Sequence, residues 1–421
     1  MDPMKIRSRN LSYKNRSFKL ATGALLMLAA AQAFAADKQS VRAEVGTPLQ
    51  EAQKALQSKD YRGASAKITA AEQVGKLTSY ESYLVARLKS AAALGQGDYK
   101  GALAAYDQVL ASPELPAAEK LQTLDAYVKV AYAAKDYSKT ADAIQKYKAA
   151  GGTNAETLNL SVQSLYLAGK YKEASSELSS QISAMEAAGK RPTETQLQLL
   201  ASCALKQNDM VAYTAALEKI VLYTPKKEYW LDLIVRTSRK PGFSDRLELD
   251  VYRLRQATGT MDKSQDYMEA AQLALQAGYP GEAQKFVDDG YAVKLLGAGN
   301  DASRHQRLKD LVTKKLAEDK ATLAEGEKAA AAQPTGDALV STGFNYVAYG
   351  QADKGIALIE QGIKKGGIKL VDQAKLHLGY AYLLAGKKEQ AQKTFSSVQG
   401  SDGSKDIARL WILQARSPPT K

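Results

Sequence analysis

The chain has 421 residues, 45% of them hydrophobic and 7% aromatic, and its 58 Lys and Arg against 45 Asp and Glu leave a formal charge of +13. That length exceeds one ordinary globular core, yet no long Pro- or Gly-rich linker divides it, and a single cysteine excludes an intrachain disulfide framework. The positive charge is dispersed: Lys alternates with Glu and Asp along most segments, which marks solvated helix faces and excludes the concentrated basic and aromatic patch of a nucleic-acid binder.

At the start, Lys5, Arg7, Arg9, Lys14, Arg16 and Lys19 stand against Asp2, then come an apolar run from Leu20 to about Ala31 and the small residues of Ala33-Phe34-Ala35. This order predicts a secretory signal peptide over 1–35, cleaved between Ala35 and Ala36, and export to the periplasm. The run is shorter than the roughly 20 residues of a spanning helix, which argues against an uncleaved anchor. No Cys follows the cleavage site and no adjacent Arg pair precedes it, so neither a lipoprotein nor the twin-arginine route is expected. With the signal's six basic and one acidic residues set aside, the remainder carries about +8 and holds no further run able to span a bilayer. It is rich in Ala, Leu, Lys, Gln and Glu, which predicts an all-helical fold.

A residue that opens a second helix recurs at Ala64, Ala102, Thr140, Ala174, Tyr213, Arg246, Ala283, Gly355 and Ala391, with spacings of 38, 38, 34, 39, 33, 37, 72 and 36. Four turns are nearly one peptide: Lys59-Asp60-Tyr61, Gly97-Asp98-Tyr99, Lys135-Asp136-Tyr137 and Gly169-Lys170-Tyr171. In each, Gly or Asp is expected to end the first helix and Tyr to cover the corner. Cys203, inside the apolar run Leu199 to Leu205, is expected to be a small buried hydrophobe. Pro225 ends one unit and Trp230 and Leu233 open the next, but there Arg246 replaces a small residue and Arg239-Lys240-Pro241-Gly242 makes an awkward turn, so that hairpin should be distorted. From Ser303 to Ala332, helical spacing persists without a turn, which fits either one long helix or one degenerate hairpin. Pro334-Thr335-Gly336-Asp337 restarts the register, and a closing helix is expected over Asp406 to Arg416.

The regular unit is clearest in Leu376-His377-Leu378-Gly379-Tyr380-Ala381-Tyr382, the break Ala385-Gly386-Lys387-Lys388, then Ala391 and Phe395. Gly379 and Ala391 are small where two backbones meet, and Leu378, Tyr382 and Phe395 fill the space around them. This spacing resembles the tetratricopeptide repeat, a helical hairpin of 34 residues. The resemblance implies an all-α fold, a right-handed superhelical solenoid of about nine to ten hairpins. Its expected organisation is a regular array over 36–224, a degenerate helical region over 225–335, and a final pair of repeats with a capping helix over 336–421.

Little in the sequence points to catalysis. His305 and His377 have no ligand-spaced partners, no phosphate loop or nucleophile elbow is present, and Gly400 to Asp406 lacks the acids of a calcium loop. No metal, no cofactor and no enzymatic activity are therefore expected. In tetratricopeptide proteins the first helices line a concave face that holds a peptide or a partner's helix. By that resemblance the inward positions are Gln122, Asp125, Lys129 and Tyr132, then Glu156, Asn159, Gln163 and Tyr166, then Gln198 and Lys206, with Phe344 and Tyr380 in the same row nearer the end. The family's carboxylate clamp needs Asn where this chain has Gln53, Ala91, Lys129, Gln163 and Ser202, so that mechanism is not implied. The expected function is a periplasmic scaffold that binds an envelope protein or peptide. Two alternatives stand beside it: an anionic envelope polymer held by the basic stretches Arg236 to Arg255 and Lys354 to Lys393, and a murein-directed enzyme whose acids converge only on folding.

Overall fold

The computed structural model describes residues 40–418; the signal peptide expected over 1–35 lies outside them. The described residues form twenty α-helices and no strand, in two separately packed units that divide between Leu178 and Ser179. The division falls inside a helix, Tyr171–Ala187.

The first unit is a run of hairpins: α1 (Ala43–Gln57) with α2 (Tyr61–Gln73), α3 (Ser79–Gly95) with α4 (Tyr99–Ala111), α5 (Ala117–Ala133) with α6 (Tyr137–Ala149), and α7 (Ala155–Leu167) with the first half of α8 (Tyr171–Ala187). Each turn stops its first helix in the same way. Lys59, Gly97, Lys135 and Gly169 take left-handed backbone angles, with φ of 60°, 74°, 59° and 78°, and so stop the first helix. The Asp that follows does not end that helix, as expected from sequence, but starts the next. Asp60, Asp98 and Asp136 each accept a hydrogen bond from the backbone N–H three residues on, at Gly63, Gly101 and Lys139, over 2.9 to 3.0 Å. Ala64, Ala102, Thr140 and Ala174 then sit wholly buried beneath the corner, where a larger side chain would push the paired helices apart.

The second unit continues with α9 (Glu194–Lys206), α10 (Met210–Tyr223), α11 (Lys227–Ser238), a 3-10 turn (Asp245–Leu247), α12 (Glu248–Ala257), α13 (Ser264–Gln276) and α14 (Pro280–Ala292). It ends with α15 (Ala302–Ala332), α16 (Asp337–Ala348), α17 (Ala352–Lys365), α18 (Val371–Leu384), α19 (Lys388–Ser396) and α20 (Ser404–Arg416). Four of its pairs, α9 with α10, α13 with α14, α16 with α17 and α18 with α19, are hairpins of the expected kind. The α16–α17 pair is the closest-packed, because a Cβ added to Gly343 would stand 2.6 Å from the carbonyl oxygen of Gly355.

Three features depart from a regular array. Residues 302–332 form one 31-residue helix, since Ala, Lys and Glu favour helix and no Pro or left-handed residue interrupts them before Pro334. The pair α11 and α12 is not a hairpin: Gly242 at φ 83° and the 3-10 turn redirect the chain, and Arg246 remains at the surface, ion-paired with Asp402. A long cation cannot enter the crevice that Ala fills elsewhere. Finally, α20 does more than cap α19. Arg409 pairs with Glu218 at 2.9 Å, Lys240 with Asp406 at 2.9 Å, and the Ser417 hydroxyl donates to the Val221 carbonyl. The end of this unit is thereby tied back to α10 and to the loop after α11, so the array of hairpins closes on itself within the unit.

Candidate binding surface

In the first unit, α5 and α7 present matching rows. Gln122, Glu156 and Asn159 are exposed, and Asp125, Lys129, Tyr132, Gln163 and Tyr166 are half-buried. These side chains are held in place by the hairpins themselves. Asp125 bridges the two helices, accepting from the Thr157 hydroxyl and pairing with Lys129 at 2.6 Å one helical turn away. Tyr132 and Tyr166 stand edge-on to Tyr137 and Tyr171, with ring centroids 5.8 and 5.3 Å apart, so each covers its own corner and leaves part of its surface open. The result is a row of amides, charges and phenols on a fixed backbone. Such a surface can donate to and accept from an extended peptide without rearranging.

Sequence reading passed over Arg87, which the 38-residue spacing places on α3 in the register of Asp125. Its guanidinium reaches Glu119 at 3.1 Å and donates to the Tyr83 hydroxyl at 3.2 Å, so the row extends onto α3 through a residue already committed to neighbours.

Gln198 and Lys206 belong to α9, in the second unit. Gln198 donates to the Tyr229 hydroxyl over 2.6 Å, and that hydroxyl donates to Glu194, which also pairs with Lys226. Burial and the Glu194 carboxylate push the Tyr229 phenol up to about 12. Burial alone would raise Glu194, but Lys226 and Tyr229 outweigh it and hold its carboxyl below the usual range. Lys206 is exposed.

Phe344 and Tyr380 require correction as contact residues. They are 1% and 8% exposed, and the interior they face is filled by Arg253 of α12. The guanidinium lies 4.7 Å from the Phe344 ring, 5.8 Å from Tyr380 and 5.7 Å from Tyr279. It makes two hydrogen bonds to Glu282, at 2.6 and 2.7 Å, and one to Asp250 at 2.7 Å. His377 completes the cluster, its Nε2 3.8 Å from Asp250, and burial together with Arg253 pushes its pKa down to about 4, so it is neutral at ordinary pH. The redirected α12 thus closes the row from which a partner was expected to hang.

The same geometry bears unequally on the two basic stretches. Between Arg236 and Arg255, Arg236 pairs with Asp232, Lys240 with Asp406, Arg253 with Asp250 and Glu282, and Arg255 with Asp266. In the later stretch Lys354 pairs with Glu327, Lys375 with Asp372 and Lys387 with Asp353. Most of the charge in the first stretch is thus compensated, within one helix or between helices, while in the second Lys354, Lys375 and Lys387 carry ion pairs. His305 is packed at 2% exposure, accepting from the Gly297 N–H at Nδ1, and Cys203 is buried, its thiol pushed up to about 11 by burial.

No protein-family model matches the sequence, and no curated protein matches it. Among solved structures, the crystal structure of yeast Tom70 aligns with 88% of this chain and 95% of its own, at 12% identity and a TM-score of 0.24. The assignment as an all-α array of helical hairpins rests on the hairpins described above.

Proposed function

We propose that this chain is a non-enzymatic, tetratricopeptide-like scaffold of the periplasm that holds a protein or peptide of the cell envelope along α5 and α7. The observation that carries the reading is the matched pair of polar rows, Gln122 to Tyr132 and Glu156 to Tyr166, fixed by the Asp125 bridge and only partly used by internal contacts. The basic residues at the head of the sequence motivate the compartment. A photo-crosslinker placed at Asn159, compared with one at the exposed Lys100 of α4, tests it in intact cells. A discrete adduct from Asn159 that is absent from Lys100 and survives extraction in high salt supports the scaffold. Equal labelling from both positions, or recovery only of salt-sensitive polymer, rejects it.

A further inference from the structure

Within the second unit, the 3-10 turn, the end of α13, the start of α16 and the start of α18 line a half-open cavity of about 390 Å³. Two buried aromatic rings contribute to its lining: Tyr279, 5% exposed, stands edge-on to His377, 6% exposed, with centroids 5.8 Å apart. Leu249 and Val340 give it apolar walls. Its rim carries the carboxylates of Asp245, Glu248 and Asp337. Among the described residues no side-chain cation pairs with any of the three, and the one cation in the lining, Arg246, is committed to Asp402. Burial first, and then the neighbouring carboxylates of Glu269 and Asp245, hold Glu248 above the usual carboxylate range.

Apolar walls, aromatic rings and an acidic rim that pairs with no side-chain cation, Asp337 accepting only from the Lys369 N–H at 3.2 Å, are complementary to one kind of ligand, a cation on an apolar body. We propose that this cavity binds an alkylammonium group, an amine on a short apolar stem, either as a free small amine or as the side chain of a lysine. The stem lies against Leu249, Val340 and the rings, and the ammonium group meets the rim. The site is independent of the α5 and α7 rows, so its failure would leave the proposed scaffold function standing.

Hydrogen exchange of the whole chain tests this with n-pentylammonium, n-pentanol and a blocked Ala-Ala-Lys-Ala-Ala peptide. The expected result is millimolar binding of the amine that protects 245–249, 273–279 and 337–341, with n-pentanol at least about tenfold weaker. Glu248→Gln with Asp337→Asn should weaken the amine about tenfold without moving the unfolding transition. Should that pair fail to fold, Asp245→Asn at the exposed rim should still weaken it by about twofold to fivefold. Tighter binding of the peptide than of the free amine assigns the source to a polypeptide lysine, and the reverse order to a small molecule. Equal affinity for pentanol, protection elsewhere, carboxamide variants that bind as the parent does, or no binding of any probe would overturn the proposal.

Discussion

Replacing Arg253 by Met should destabilise the second unit by about 3 to 5 kcal/mol, because it leaves buried carboxylates without their counter-charge. The side chain is 1% exposed and makes three charge-assisted hydrogen bonds of 2.6 to 2.7 Å, while Asp250 and Glu282 are themselves 2% and 7% exposed. Met fills much of the same volume against Phe344 and Tyr380, so the loss is chiefly electrostatic and not a cavity effect. Both tryptophans of the chain, Trp230 and Trp411, are buried in this unit, and their fluorescence during urea unfolding reads its transition directly. Adding Asp250→Asn and Glu282→Gln to Arg253→Met should recover most of the loss, since a neutral cluster needs no counter-charge. A single variant within about 1 kcal/mol of the parent, or a triple variant no better than the single one, would refute the electrostatic account.

The C-terminal hairpin gives a packing test: Leu378→Ala should cost about 2 to 5 kcal/mol. Gly379→Leu should cost about 1 to 3 kcal/mol or more, because its Cβ would stand 2.5 Å from the Phe395 ring; fluorescence unfolding reads both, and parent-like curves would mean the helices do not meet there. Asp98→Ala removes the side chain that starts α4 and should lower the stability of the first unit by about 0.5 to 2 kcal/mol in a circular-dichroism melt, with Asp98→Asn nearly neutral. Glu81 is buried and its carboxyl is held down to about 2, chiefly by its hydrogen bonds from Arg42, against a usual value of 4.5. A depressed pKa contributes stability that is fully present above the usual value and lost as pH falls through the folded one. The first unit should therefore weaken between pH 4.5 and about 2, and Glu81→Gln should flatten that slope in acid melts.

The helical hairpins were legible because each is specified locally. A left-handed Gly or Lys, a capping Asp and a small residue four positions on lie within one turn of chain, and their meaning does not depend on distant partners. The polar rows of α5 and α7 follow from the same register, which is also why Arg87 could have been found by carrying the spacing back one repeat. The misread residues are those whose environment is made by distant segments. Arg253 reads as one more surface cation until α12 is placed against Phe344 and Tyr380, and Arg246 and Lys240 look free until α20 brings Asp402 and Asp406 beside them. Sequence by itself determined that this chain is built of helical hairpins, where most of them turn, and which faces are polar, because periodicity and capping are short-range. Only the tertiary structure decided that the second unit closes on itself, fills its inner row and leaves an acidic cavity, because those depend on contacts between distant segments, such as Arg253 with Phe344 and Arg246 with Asp402, which no local pattern encodes.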